Sequence, residues 1–76
     1  MTKEQVLRWI NKQPFRPFRF HTTNGRSFEV RHPEHIALGR TFLFVHDVET
    51  GIESDISLLH LTEFERLEPD PVSENA

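Results

Sequence analysis

Residues 15–31 read FRPFRFHTTNGRSFEVR, and this stretch decides the fold. Two runs that alternate apolar and polar residues flank a Thr-Asn-Gly segment, a pattern that predicts a β-hairpin. Phe18 and Phe20 share one face of the first run, and Phe28 and Val30 share one face of the second. The hairpin therefore supplies a face rich in phenylalanine on which a core can be built.

Two turn geometries are compatible with the Asn-Gly pair, and they give different registers. A two-residue type I′ turn would pair Phe20 with Glu29 and place a carboxylate on the phenylalanine face. A three-residue Thr-Asn-Gly loop, with Gly25 in the left-handed region, pairs Phe20 with Phe28 and Arg19 with Glu29 instead. Because a slip by one residue turns every phenyl ring to solvent, we predict the three-residue loop.

The length of 76 residues predicts one domain. A chain of this size buries only roughly 60% of the surface that it exposes when unfolded. Seven Phe and one Trp supply its core. The absence of Cys excludes disulfides and thiolate metal sites. No stretch has the pattern of a signal peptide or a membrane span, so we expect a cytoplasmic protein. We expect a single small barrel domain over residues 1–68 and a disordered acidic tail over residues 69–76.

The net charge of −3 is divided unevenly along the chain. Residues 1–46 hold eight Lys and Arg against three acidic residues, whereas residues 47–76 hold one Arg against nine acidic residues. Such asymmetry can mark a polyanion-binding face or head-to-tail association. Alternatively, the two halves interleave and their charges cancel locally, which is the interpretation we favour.

The N-terminal segment predicts a helix that lies on the sheet. Thr2 and Gln5 form a capping box that starts the helix at Lys3, and Pro14 stops it. An apolar stripe at helical spacing includes Trp9, which we expect to be a core residue. Since so short a helix is unstable alone, it must pack on other elements.

The remaining chain predicts short strands. Residues 36–38 read as a short strand or a loop wall, and the continuous apolar run 42–45 as a central strand covered on both faces. Apolar and polar residues alternate over residues 52–58, which predicts a strand with an acidic outer face. Residues 58–61 suggest one helical turn, and residues 64–67 predict a short closing strand. The predicted fold is α+β, mainly β: an N-terminal helix followed by a small four- to five-stranded antiparallel SH3-like or Sm-like barrel. The alternative is an open, curved meander.

Two strings, QPFRPFRF at residues 13–20 and NGRSFEVRHPE at residues 24–34, resemble a group of short uncharacterised bacterial proteins. Members of this group carry a similar helix, a Pro-Phe-Arg-Pro-Phe segment, a Gly-Arg turn and a His-Pro-Glu segment. The similarity covers roughly residues 3–68, with Asn24 where Asp is commoner in the group. The resemblance implies one compact domain and no known activity.

Four of the five histidines raise the question of a metal site. His32 and His35 bracket a Pro-Glu pair, and His46 and His60 follow, with Asp47 beside His46. Imidazole and carboxylate groups suit zinc, but a site needs three or four converging ligands. Because the first pair spans a proline bend, its rings need not converge. We interpret these residues as surface and turn histidines and expect no cofactor.

Catalytic motifs are lacking in the sequence. It has no Cys nucleophile, no glycine-rich phosphate loop and no Gly-x-Ser-x-Gly motif. His21 or His60 could act as a base only beside a nucleophile and an orienting group, and the serines lie in contexts that suggest neither. We therefore expect a protein that is not an enzyme.

Two binding hypotheses follow. The first is a binding or assembly module that pairs with a protein partner, or with its own copy, through an exposed edge strand. The alternative is binding of single-stranded nucleic acid, RNA in particular, through the basic outer face of the first hairpin. That face would consist of Arg16, Arg19, His21, Arg26 and Arg31. No membrane partner is expected.

Overall fold

The computed structural model describes residues 1–67 and has the predicted α+β, mainly β architecture. Short 3₁₀ turns at Pro33–His35 and Leu58–His60 join some of the strands, and the second confirms the predicted helical turn. The predicted tail of residues 69–76 lies outside the described residues. The elements are α1 (Lys3–Ile10), β1 (Phe18–Thr22), β2 (Ser27–Val30), β3 (Ile36–Leu38), β4 (Phe42–His46), β5 (Glu53–Ser57) and β6 (Leu61–Arg66).

The six strands form two antiparallel three-stranded sheets. The first sheet has the order β2-β1-β6, and the second has the order β3-β4-β5. No strand pairing closes them into a barrel within residues 1–67, so the predicted SH3-like or Sm-like barrel is not confirmed. The strands number six rather than four or five because Ile36–Leu38 pairs with β4 as a strand of its own.

The first hairpin has the predicted register. Phe20 lies opposite Phe28, and Arg19 lies opposite Glu29. Gly25 has a φ of 83°, and its N–H donates to the carbonyl of Thr22 at 3.1 Å, which closes a three-residue loop. The left-handed conformation explains glycine at this position, since it carries no Cβ. The phenylalanine face is thereby kept toward the core.

Helix α1 begins with the predicted capping box: Thr2 accepts from the N–H of Gln5, and the Gln5 side chain accepts from the N–H of Thr2. The helix ends at Ile10, four residues before Pro14. Trp9 contacts two rings of the first sheet, with centroid distances of 5.7 Å to Phe18 and 5.4 Å to Phe64. The helix therefore packs against the sheet, and Trp9 belongs to the edge of the core.

One core takes side chains from the helix and from both sheets. Phe18 and Phe20 are fully buried, and both stack against Phe64. Such rings dominate the burial of apolar area in a chain of this size. The buried apolar residues are Val6, Phe18, Phe20, Phe28, Val30, Ile36, Leu43, Val45, Ile56, Leu58 and Leu61.

The prediction that β4 is covered on both faces is wrong. Leu43 and Val45 are buried, but Phe42 and Phe44, which alternate with them, are 51% and 42% exposed. The helix packs against the first sheet and β3, so it does not cover the outer face of β4. Ile52, which directly precedes β5, is likewise exposed.

Candidate functional site

The outer face of the first sheet carries the central part of the predicted basic surface, together with two carboxylates. Arg19 donates to Glu29 at 2.5 Å and to Glu65 at 3.4 Å. His21 hydrogen-bonds Glu65 at 2.8 Å, and Arg31 donates to Glu29 at 3.1 Å. Glu65 is present because β6 pairs with β1. The face is therefore a network of alternating charges rather than a basic stripe.

The electrostatics of this network favour its charged form. The hydrogen bond from Arg19 lowers the pKa of Glu29, and the hydrogen bond from His21 lowers the pKa of Glu65, in both cases against a smaller opposing effect of burial. The bond to Glu29 in turn raises the pKa of Arg19. Glu65 comes from the acidic half of the chain, so the two halves interleave here and their charges cancel locally.

Arg16 and Arg26, the other two residues of the predicted basic surface, lie outside this network. Arg16 is buried, with 9% of its surface exposed. Arg26 is exposed near the hairpin loop, and its guanidinium carbon lies 4.8 Å from the centroid of the Phe28 ring. The five predicted residues therefore do not form one continuous surface.

Three of the four candidate metal-ligating histidines are neighbours. The ring centroids of His32 and His35 lie 5.3 Å apart, and those of His35 and His46 lie 5.7 Å apart. His60 lies apart from this row, with its Nδ1 3.3 Å from the hydroxyl of Thr23. Within the described chain, no group of three or more His, Asp or Glu side chains is arranged to hold a metal ion.

A surface that the sequence analysis did not identify lies on the outer face of the second sheet. Phe42 and Phe44 project from β4, with Ser57 and Asp55 of β5 directly opposite them. We call these four residues, together with Glu53, the outer face. The sequence contained a signal for this surface. The four consecutive apolar residues 42–45 are followed by a predicted strand in which acidic residues alternate with other residues. Periodicity alone could not say that this apolar row stays uncovered.

Strand β5 is also an edge strand, and a groove runs beside it. Within residues 1–67, its only hydrogen-bonded neighbour is β4. The groove has a volume of about 390 Å³ and separates β5 from the tip of the first hairpin. Residues that line it include Asn24, Arg26 and Phe28 on the hairpin side, and Asp55, Ile56 and Ser57 on β5. The backbone of β5 is thus accessible beside two exposed aromatic rings.

No helix in the part of the chain that the structure describes is long and apolar enough to cross a membrane. No protein-family model, curated protein or solved structure matches the chain. The functional interpretation therefore depends on the geometry of the outer face and the β5 edge.

Proposed function

We propose that this protein is a non-enzymatic binding module that takes up an extended segment of another protein beside β5. The observation that carries the proposal is the exposure of Phe42 and Phe44 next to an open edge strand. Addition of a strand to a sheet edge gives affinity through backbone hydrogen bonds and specificity through alternate side chains. Exposed apolar groups beside such an edge would add buried contact area.

The other edge strands, β2, β3 and β6, are less suitable sites for an added strand because of their surroundings. β3 has three residues and contacts the helix. β2 has four residues, and the two depressions along it, of about 350 and 270 Å³, are lined by the carboxylates of Glu29, Asp47 and Glu49. β6 borders the charged network through Glu65. Both β3 and β5 flank the two exposed phenylalanines of β4, but β3 has three residues and contacts the helix, whereas β5 has five residues and borders the groove.

A second copy of the chain is a less suitable occupant. Pairing of β5 with itself would bring Glu53 and Asp55 of two copies together. Pairing of β5 with β6 would bring them near Glu63 and Glu65. Like charges opposite each other across strands are destabilising. Self-association through these edges is therefore less well supported than the binding of a different protein.

We also propose that the fold is related to the SH3-like and Sm-like barrels. Only a short segment around Pro33 separates β2 from β3, so the two read as halves of one bent strand. A 3₁₀ turn follows β5, and the last strand returns beside β1. This order of elements supports the relationship, although fold does not imply function.

Single-stranded RNA, the alternative partner, has weaker support. Arg19, His21 and Arg31 are each within 3.5 Å of a carboxylate on the face that was expected to bind phosphate. A polyanion would compete with Glu29 and Glu65 for these cations. The feature that still supports RNA binding is the stacked pair of Arg26 and Phe28 at the groove.

The test is selection of random displayed peptides on the intact protein. We expect the enriched peptides to bind the wild type and to bind Phe42→Ser/Phe44→Ser at least roughly tenfold more weakly. Val48→Ser/Ile52→Ser is the matched control, because it removes from the β4–β5 turn two apolar side chains that are more exposed than Phe42 and Phe44. Circular dichroism would verify that both variants are folded.

Either of two results would overturn the proposal. One is the absence of enriched peptides, and the other is equal binding to the wild type and to Phe42→Ser/Phe44→Ser. Labelled oligouridine is tested in parallel, and binding that is tighter than that of any selected peptide would favour RNA as the partner.

A further inference from the structure

We infer that the segment bound at β5 is a basic strand, with Lys or Arg at alternate positions and apolar residues between them. The inference rests on the proposed function and names the chemistry of its partner. It follows from the charges of the outer face and from the composition of the groove on the other side of the β5 edge.

Two of the three β5 side chains on the outer face, those of Glu53 and Asp55, are acidic, and the third is that of Ser57. Asp55 is exposed opposite Phe44 and has no ion pair among the described residues, while Glu53 lies 3.4 Å from Nδ1 of His46. A strand added to β5 would run about 4.7–4.9 Å away and place every second side chain on this face. Cationic side chains at those positions complement the two carboxylates.

The exposed rings strengthen the preference for long cationic side chains. The stem of a Lys or Arg beside Asp55 is long enough to extend over the β5 strand and lie against Phe44. A cation within about 6 Å of an aromatic centroid is attracted to the ring face. The same contact occurs twice among residues 1–67, between Arg66 and Trp9 at 4.2 Å and between Arg26 and Phe28 at 4.8 Å.

The other face of an added strand would meet the groove, where an apolar side chain fits better. Ile56 and Phe28 line the groove, and Arg26 is the arginine on its far wall. A second cation here would be repelled by Arg26. Asp55 and Ser57 also line the groove, but alternation along β5 puts their side chains on the outer face, opposite Phe44 and Phe42, and puts Ile56 on the groove face. The groove therefore favours uncharged, apolar residues at the intervening positions.

The same charges disfavour the other occupants. An RNA strand would bring its phosphates to Glu53 and Asp55. A second copy would bring either the same carboxylates or those of β6. Acidic residues on an exposed edge also keep copies of a protein from pairing with one another. The β5 edge thus disfavours pairing with a second copy of the chain and favours pairing with a basic strand.

The experiment measures binding of three synthetic peptides to the full chain by titration calorimetry. The first alternates lysine and valine, the second has the same composition with its lysines grouped together, and the third has glutamate in place of each lysine. We expect the alternating lysine peptide to bind at least roughly tenfold more tightly than either of the others. High salt should weaken this binding, because the charges are exposed to solvent.

A charge-reversed variant supplies the matching test on the protein. Glu53→Lys/Asp55→Lys should bind the lysine–valine peptide roughly tenfold more weakly and should gain affinity for the glutamate–valine peptide. Hydrogen exchange followed by NMR should show new protection of backbone amides in β5 when the peptide is bound.

Several outcomes would overturn the inference. Equal binding of the alternating and grouped lysine peptides would mean attraction by net charge alone. Selection of neutral or acidic peptides that depend on Phe42 and Phe44 would refute the basic strand but leave the proposed function standing. Failure to select any peptide would remove the proposed function itself. A dimer that buries the β5 edge would identify a second copy as the occupant.

Discussion

The rings of Phe20 and Phe28 stack across the first hairpin, with centroids 5.1 Å apart and planes inclined by 17°. Phe20 is fully buried and also stacks on Phe64. Phe20→Ala should therefore lower the free energy of unfolding by about 3–5 kcal/mol. A loss of this size is enough to unfold a small domain. Urea denaturation followed by circular dichroism would measure it.

The matched control for this substitution is Phe42→Ala. It removes the same ring from a position that is 51% exposed. We expect it to lower the free energy of unfolding by less than about 1 kcal/mol. Equal losses for the two variants would contradict the assignment of Phe20 to the core and Phe42 to the surface.

The hairpin loop should be sensitive to substitution of Gly25, which has a φ of 83°. No atom lies within 4 Å of a Cβ built at this position, so the effect arises from the backbone alone. Gly25→Ala should destabilise by about 1–2 kcal/mol, and Gly25→Asn by less, since Asn adopts the left-handed conformation more readily. Thermal unfolding of the two variants compares them directly, and a more stable Ala variant would argue against the three-residue loop.

The charged network predicts a loss of stability in acid. Because their pKa values are lowered in the folded state, Glu29 and Glu65 stabilise the protein above the ordinary glutamate pKa. This contribution is lost as the pH falls below about 4.3 and through the lowered values. The urea midpoint should therefore decrease with pH in this range, and the decrease should be shallower in Glu29→Gln/Glu65→Gln.

Glu34→Gln/Glu49→Gln serves as the control for the acid experiment. Neither carboxylate has an ion pair among the described residues, so this variant should follow the pH dependence of the wild type. If the urea midpoint of the control variant decreased with pH as little as that of Glu29→Gln/Glu65→Gln, the network would not be the source of the effect.

The acidic edges predict a monomer in solution. Light scattering should give a mass near 9.0 kDa at both low and high salt, because Glu53 and Asp55 oppose pairing of β5 with another copy. A closed oligomer at both salt concentrations would instead favour assembly through strand edges. Association at low salt alone would indicate that the oppositely charged halves of different copies meet.

Local features of this protein could be predicted from the sequence. The hairpin register follows from period-2 alternation, because, of the two turn geometries compatible with Asn-Gly, only the three-residue loop keeps Phe18 and Phe20 on the same side as Phe28. The helix start follows from the pairing of Thr2 with Gln5. In both cases the residues that determine the structure lie within about a dozen positions of one another, so their spacing carries the information.

The candidate site was decided by tertiary structure. Alternation places Phe42 and Phe44 on one face of a strand, but it does not say whether another layer covers that face. The pairing of β6 with β1 brings Glu65 to Arg19 across 46 positions, and it converts the expected basic face into a charge network. Local pattern specifies which side chains share a face, whereas the packing of distant elements determines what that face meets.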